Sequence, residues 1–216
     1  MTLLKKVQYA IEYCFVKAVA FVVSLFPWRA NRKLAAALLP LFSLLGYKRL
    51  TIDNIKKAQL DLPKEGKPLK AFVREVFIQN ILTYIEMIHL MTMDKEDVLK
   101  VLTIENEEVL KRIYEEYPGV IFVLGHLGNW ELMGQVVAYK GYPLAVIARR
   151  QNNPLTDRLV NRMREKSGVK VIFRDRRAVP GTLRLLKDGY GVAILNDQDG
   201  GIAGVTTTFM GRRCST

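Results

Sequence analysis

Cysteine and histidine are almost absent from this chain. Cys14 and Cys214 stand near opposite ends of 216 residues. Two thiols so placed make no disulfide framework, and a reducing compartment is the simpler assumption. The only histidines are His89 and His126, and no Cys/His cluster has zinc-ligand spacing, so no metal and no cofactor are expected. No Gly-x-Ser-x-Gly elbow occurs, which counts against a serine hydrolase. A phosphate loop and a zinc finger are likewise missing, and the basic residues lack interleaved stacking aromatics, so nucleic acid is not an expected partner. Acidic residues are outnumbered: 21 Asp and Glu against 33 Lys and Arg leave a net charge of +12. That excess points to an anionic partner, either a lipid or an acidic protein.

What is present is a globular composition. Half the residues are apolar and a quarter are charged, and 216 residues bury a substantial core. At the amino end, Lys5 and Lys6 precede a mostly apolar segment that runs to Arg29. Glu12 and Lys17 interrupt it, and the uncharged run from Ala18 to Trp28 is too short to span a bilayer by itself. With Lys17 snorkelling and Glu12 at the interface, the segment reads as a membrane anchor or an interfacial helix. A signal peptide, disfavoured by the internal charges, and an ordinary core helix are the alternatives. A second apolar stretch, Leu34 to Tyr47, is interrupted by Pro40 and closed by Gly46. Helices are predicted over residues 51–60, Leu69 to Met91, Asp94 to Val101 and Glu105 to Tyr117, with a loop over residues 63–68. His89 reads as a locally satisfied polar group on the second of these.

From Gly119 the pattern alternates. Strands are predicted at Gly119–Leu124, Pro143–Ala148, Val169–Phe173 and Gly191–Leu195. The helices between them are Trp130–Lys140, Pro154–Ser167 and Ala178–Asp188. Gly141, Gly168 and Gly189 serve as stops, and Asn153-Pro154 is a cap followed by a first-turn proline. The fold class is therefore α/β: a helical amino-terminal part with a membrane-associating helix, then strand-helix units forming a largely parallel sheet. Three segments follow: residues 1–30 as anchor or interfacial helix, 31–118 as a helical segment packing on the core, and 119–216 as the α/β core. Sites in such folds lie at the carboxyl ends of strands, where this reading places His126, Arg149 and Asp197.

The chain is organised around Gly125-His126-Leu127-Gly128-Asn129-Trp130-Glu131. A turn at Gly128 and an N-cap at Asn129 put His126 at a strand end and Glu131 in the first turn of a helix, where the dipole favours a carboxylate. A histidine with a carboxylate behind it is the base-plus-orienter pair that activates a hydroxyl. By spacing alone, a histidine near a strand end is more often structural than catalytic.

The form His-x-Gly-Asn-Trp-Glu resembles the signature of the lipid A biosynthesis acyltransferases, within the lysophospholipid acyltransferase superfamily. The resemblance extends over Arg149-Arg150-Gln-Asn-Asn153-Pro154-Leu-Thr-Asp157, over Arg164 before Gly168, and over Asn196-Asp197-Gln198-Asp199 with the downstream Phe209-Met210-Gly211. It implies transfer of a fatty acyl group from an acyl carrier protein to a hydroxyl of a lipid A precursor, at the cytoplasmic face of the inner membrane. His126 would take the hydroxyl proton and Glu131 would hold His126. Arg149, Arg164, Asn129 and Asp197 would serve the substrate, Arg149 as phosphate ligand or oxyanion donor. Acyl-CoA as donor, another glycolipid or lysophospholipid as acceptor, and a non-catalytic basic membrane-binding protein or inactive fragment are the alternatives. The resemblance further implies that the domain continues past Thr216, with a further strand beginning near Cys214.

Overall fold

A computed structural model describes residues 2–43, 47–58 and 68–216. It falls into two compact units, one of Met1–Phe26 with Met87–Leu195 and the other of Pro27–Glu86 with Asn196–Thr216.

The first unit contains the sheet. Four parallel strands, β1 (Val120–Leu124), β2 (Leu144–Ala148), β3 (Lys170–Phe173) and β4 (Gly191–Leu195), lie in the order β1-β4-β2-β3. The connecting helices are α7 (Trp130–Tyr139), α8 (Pro154–Lys166) and α9 (Ala178–Lys187). Leu124 pairs with Leu195 and Ala148 with Phe173, so the carboxyl ends of all strands share one edge of the sheet.

Alternate residues go to opposite faces of each strand, and the two faces carry separate cores. Leu144, Val169 and Ala193, with Phe122 and Val146, pack with Val137 and Ala138 of α7. Ala145, Ile172 and Val192, with Ile147 and Ile194, pack with Leu185 and Leu186 of α9. The chain moves outward from β1 to β2 and returns from β3 to β4. With crossovers of one hand, that reversal puts α7 and α9 on opposite faces. Strand β1 forms an edge, and its Ile121 and Val123 remain exposed.

Helices α5 (Lys95–Val101) and α6 (Glu107–Glu116) precede the sheet. Asp94 caps α5 by accepting from Asp97 N at 2.9 Å. Glu107 binds Lys140 Nζ at 2.6 Å, and Tyr114 donates to Pro143 O at 3.0 Å. Burial pushes the Tyr114 phenol up to about 12, against a smaller downward pull from the Gly191 backbone. Helix α1 (Leu3–Ser24) also belongs to this unit.

In the second unit, α2 (Asn31–Ser43) runs through Pro40 instead of stopping there. Helix α3 (Tyr47–Lys57) follows, then α4 (Leu69–Leu90), whose end from Met87 counts with the first unit. Gly46, residues 59–60 of the helix predicted over 51–60 and residues 63–67 of the loop predicted over 63–68 fall outside the described residues. Arg32 of α2 binds Glu75 of α4 at 2.7 Å, which holds the Glu75 carboxyl below its ordinary range. Beyond Leu195, strands β5 (Thr206–Phe209) and β6 (Arg212–Ser215) form an antiparallel hairpin. Its turn residues Met210 and Gly211 both have positive φ, 48° and 71°, as a type I′ turn requires.

Candidate active site

Strand β1 ends at Leu124 and the chain turns at once. Leu127 N donates to Gly125 O at 2.8 Å, closing a three-residue turn with His126 at its centre. Gly128 follows at φ 58°, a conformation costly for any residue with a Cβ. Asn129 then caps α7, its Oδ1 accepting from Leu132 N at 3.0 Å. His126 is thereby held at the carboxyl edge, half-buried. Its ring meets the Trp130 indole edge to face, with centroids 4.7 Å apart and planes at 77°. Such a contact restricts the imidazole's rotation.

Glu131, the second residue of α7, is 7% exposed. Arg164, in the last turn of α8, forks onto it: Nε donates to Oε2 at 2.9 Å and Nη2 donates to Oε1. Arg164 Nη1 also reaches Asn161 Oδ1 at 3.3 Å. Both partners sit at helix ends whose dipoles suit their charges. A bidentate fork of this kind fixes the carboxylate's plane as well as its position. Arg164 is therefore engaged on Glu131, where the sequence reading expected it at the substrate.

Two strands along the edge, the loop that leaves β2 carries Arg149, exposed, and Arg150, whose guanidinium lies 3.5 Å from the centroid of the Phe173 ring. Asp157 is 9% exposed and accepts from Gln151 N at 2.8 Å, so the loop is tied back to α8. Asn153 caps α8 through Leu155 N at 2.9 Å. Strand β4 stands between β1 and β2, so the His126 and Arg149 loops are separated by two strand spacings, roughly 10 Å. Asp197 is exposed in the second unit. His89, buried on α4, has its imidazole pushed below the ordinary value by loss of solvent.

Asn153, Asp157 and Trp130 are the residues to which the sequence reading gave no part in the site. The Asn-Pro-x-x-Asp spacing carried a usable signal: a cap at one position and a carboxylate one turn later can both reach backbone N–H groups. Among the described residues, no group of three His, Cys, Asp or Glu side chains is placed to hold a metal.

A strand-end turn thus presents His126 at the carboxyl edge, and a buried carboxylate follows in the first turn of the next helix. A family model described as bacterial lipid A biosynthesis acyltransferase matches residues 1–216. The chain belongs to that family. It is accordingly an O-acyltransferase of lipid A biosynthesis. Among curated proteins there is no match. The lipid A acyltransferases are typically membrane-associated, and α1 is long and apolar enough to cross a membrane by length and composition.

Proposed function

We propose that this acyltransferase moves a fatty acyl group from an acyl-carrier-protein thioester to a hydroxyl of a lipid A precursor, with His126 as general base. The observation that carries this reading is the turn that presents His126 at the carboxyl edge directly ahead of Glu131. In the forward step, the imidazole takes the acceptor's O–H proton as the oxygen attacks the thioester carbonyl. Arg149, exposed on the loop after β2, binds the precursor's phosphate or the developing oxyanion. The tetrahedral intermediate then expels the carrier thiolate, and the imidazolium returns its proton to that sulfur. No acyl-enzyme is required.

Glu131 is assigned to steadying His126. Arg164 and Asn129 are assigned to positioning, because the fork of one fixes Glu131 and the side-chain oxygen of the other caps α7. The reaction takes place at the cytoplasmic face of the inner membrane, where precursor and carrier meet.

The test is acyl transfer by the full chain with acyl carrier protein and acyl-CoA supplied in parallel. Transfer from the carrier protein, with much less from acyl-CoA, supports the reading. Transfer from acyl-CoA alone would reassign the donor.

A further inference from the structure

Helix α1 is 22 residues long, about 33 Å at 1.5 Å per residue, and its two sides differ. Leu4, Val7, Ile11, Phe15, Val22 and Leu25, the last just past its end, are all exposed, by 48–82%. At 100° per residue they fall within roughly 80° of one another around the axis, a continuous apolar stripe with no charge in it. Tyr9, Ala20 and Val23 are buried on the other side. There the cap of α8 grips the helix: Asn153 Nδ2 lies 2.9 Å from Tyr9 O and 2.9 Å from Glu12 Oε2. Gln8 Nε2 adds a third hydrogen bond, to Glu12 Oε1, at 2.8 Å.

These contacts decide between crossing a bilayer and lying on one. A helix that crossed would have to leave α8 and carry Glu12, near its midpoint, into hydrocarbon, at about 2.5–3.5 kcal/mol for such a charge. A helix lying flat keeps Glu12 on Asn153 and still buries the whole stripe in lipid. We infer that α1 lies in the membrane plane, its Leu4-to-Leu25 stripe among the acyl chains and its Tyr9/Glu12 side docked on Asn153. The occupant of the stripe is an anionic lipid surface. The chain's net charge is +12, which draws it to an anionic surface. Asn153 ends the loop that leaves the carboxyl end of β2, so the docked helix keeps that edge of the sheet, with His126, beside the lipid. The inference rests on the reading that the acceptor is a membrane lipid.

The experiment uses the full chain in a Cys14→Ser, Cys214→Ser background with a single cysteine introduced as Thr2→Cys or Arg29→Cys. Labelling is by a membrane-impermeant maleimide, in inverted inner-membrane vesicles and in intact spheroplasts. Both ends of α1 are expected to label in inverted vesicles and neither in spheroplasts. Labelling of the Thr2→Cys variant in spheroplasts, with Arg29→Cys labelled in inverted vesicles, would overturn the inference. A Phe15→Glu variant is expected to bind vesicles of phosphatidylethanolamine and phosphatidylglycerol roughly tenfold less than wild type or weaker still, and Phe15→Leu to bind normally. Undiminished binding by Phe15→Glu would also overturn it. Acyl transfer in detergent is read separately: its failure would strike the proposed reaction and leave the labelling result standing.

Discussion

At the residue scale, the pair that matters most is Glu131 with Arg164. Their side chains are 7% and 15% exposed, so removing either leaves a charge in a poorly solvated place. Arg164→Ala is predicted to cost about 3–5 kcal/mol in denaturant unfolding, with Arg164→Lys intermediate because one ammonium cannot reproduce the fork. If Arg164 positions Glu131, kcat falls together with Tm. If it held the substrate phosphate, KM would rise while Tm stayed in place. The sequence could not separate these roles, since an arginine on a helix announces a charge and nothing about which partner it meets 33 residues back. Asn129 was more legible, because a short polar residue after a positive-φ glycine has few uses except capping. His89 gives a pH prediction. Its folded-state value lies below the ordinary 6.5, so as pH falls through the ordinary value the unfolded chain binds the proton first, and stability declines. Between pH 7 and 5, His89→Gln is expected to lose less Tm than wild type in parallel thermal melts.

At the element scale, Asn153 joins three things: the start of α8, the backbone of α1 at Tyr9 and the carboxylate of Glu12. Asn153→Ala is predicted to cost about 2 kcal/mol, a lost cap plus lost docking bonds. Hydrogen exchange should rise along α1 while β1 and β4 stay protected. Gly191 is a second such point. A Cβ there would overlap the Tyr114 hydroxyl and the Phe122 ring, so Gly191→Ala is expected to lose about 1–3 kcal/mol by overpacking. The parallel strands were readable because a strand covered on both faces is a nearly continuous apolar run, as in residues 191–195. Two features were not. Pro40 reads as a break, yet α2 continues through it, since a proline forfeits one helical hydrogen bond and its neighbours can retain the rest. The β5–β6 hairpin turns on Met210-Gly211, and methionine at a positive-φ position carries no propensity signal to announce a type I′ turn.

At the scale of the whole molecule, the account links a basic surface, a lipid-facing helix and a site at one edge of a parallel sheet. A net charge of +12 predicts salt-sensitive association with anionic vesicles, weakening as added salt shortens the screening length from about 8 Å toward 3 Å. The apolar stripe of α1 predicts that a residue of binding survives high salt, and vesicle sedimentation across a salt series measures both parts. The central claim is narrower: His126 takes the proton. Its most direct test is the steady-state rate of acyl transfer by full-length wild type and His126→Ala, with acyl carrier protein and lipid A precursor, on samples shown by melting to be equally folded. The account predicts a kcat reduced by roughly 10²–10⁴. Transfer by His126→Ala at the wild-type rate would contradict it.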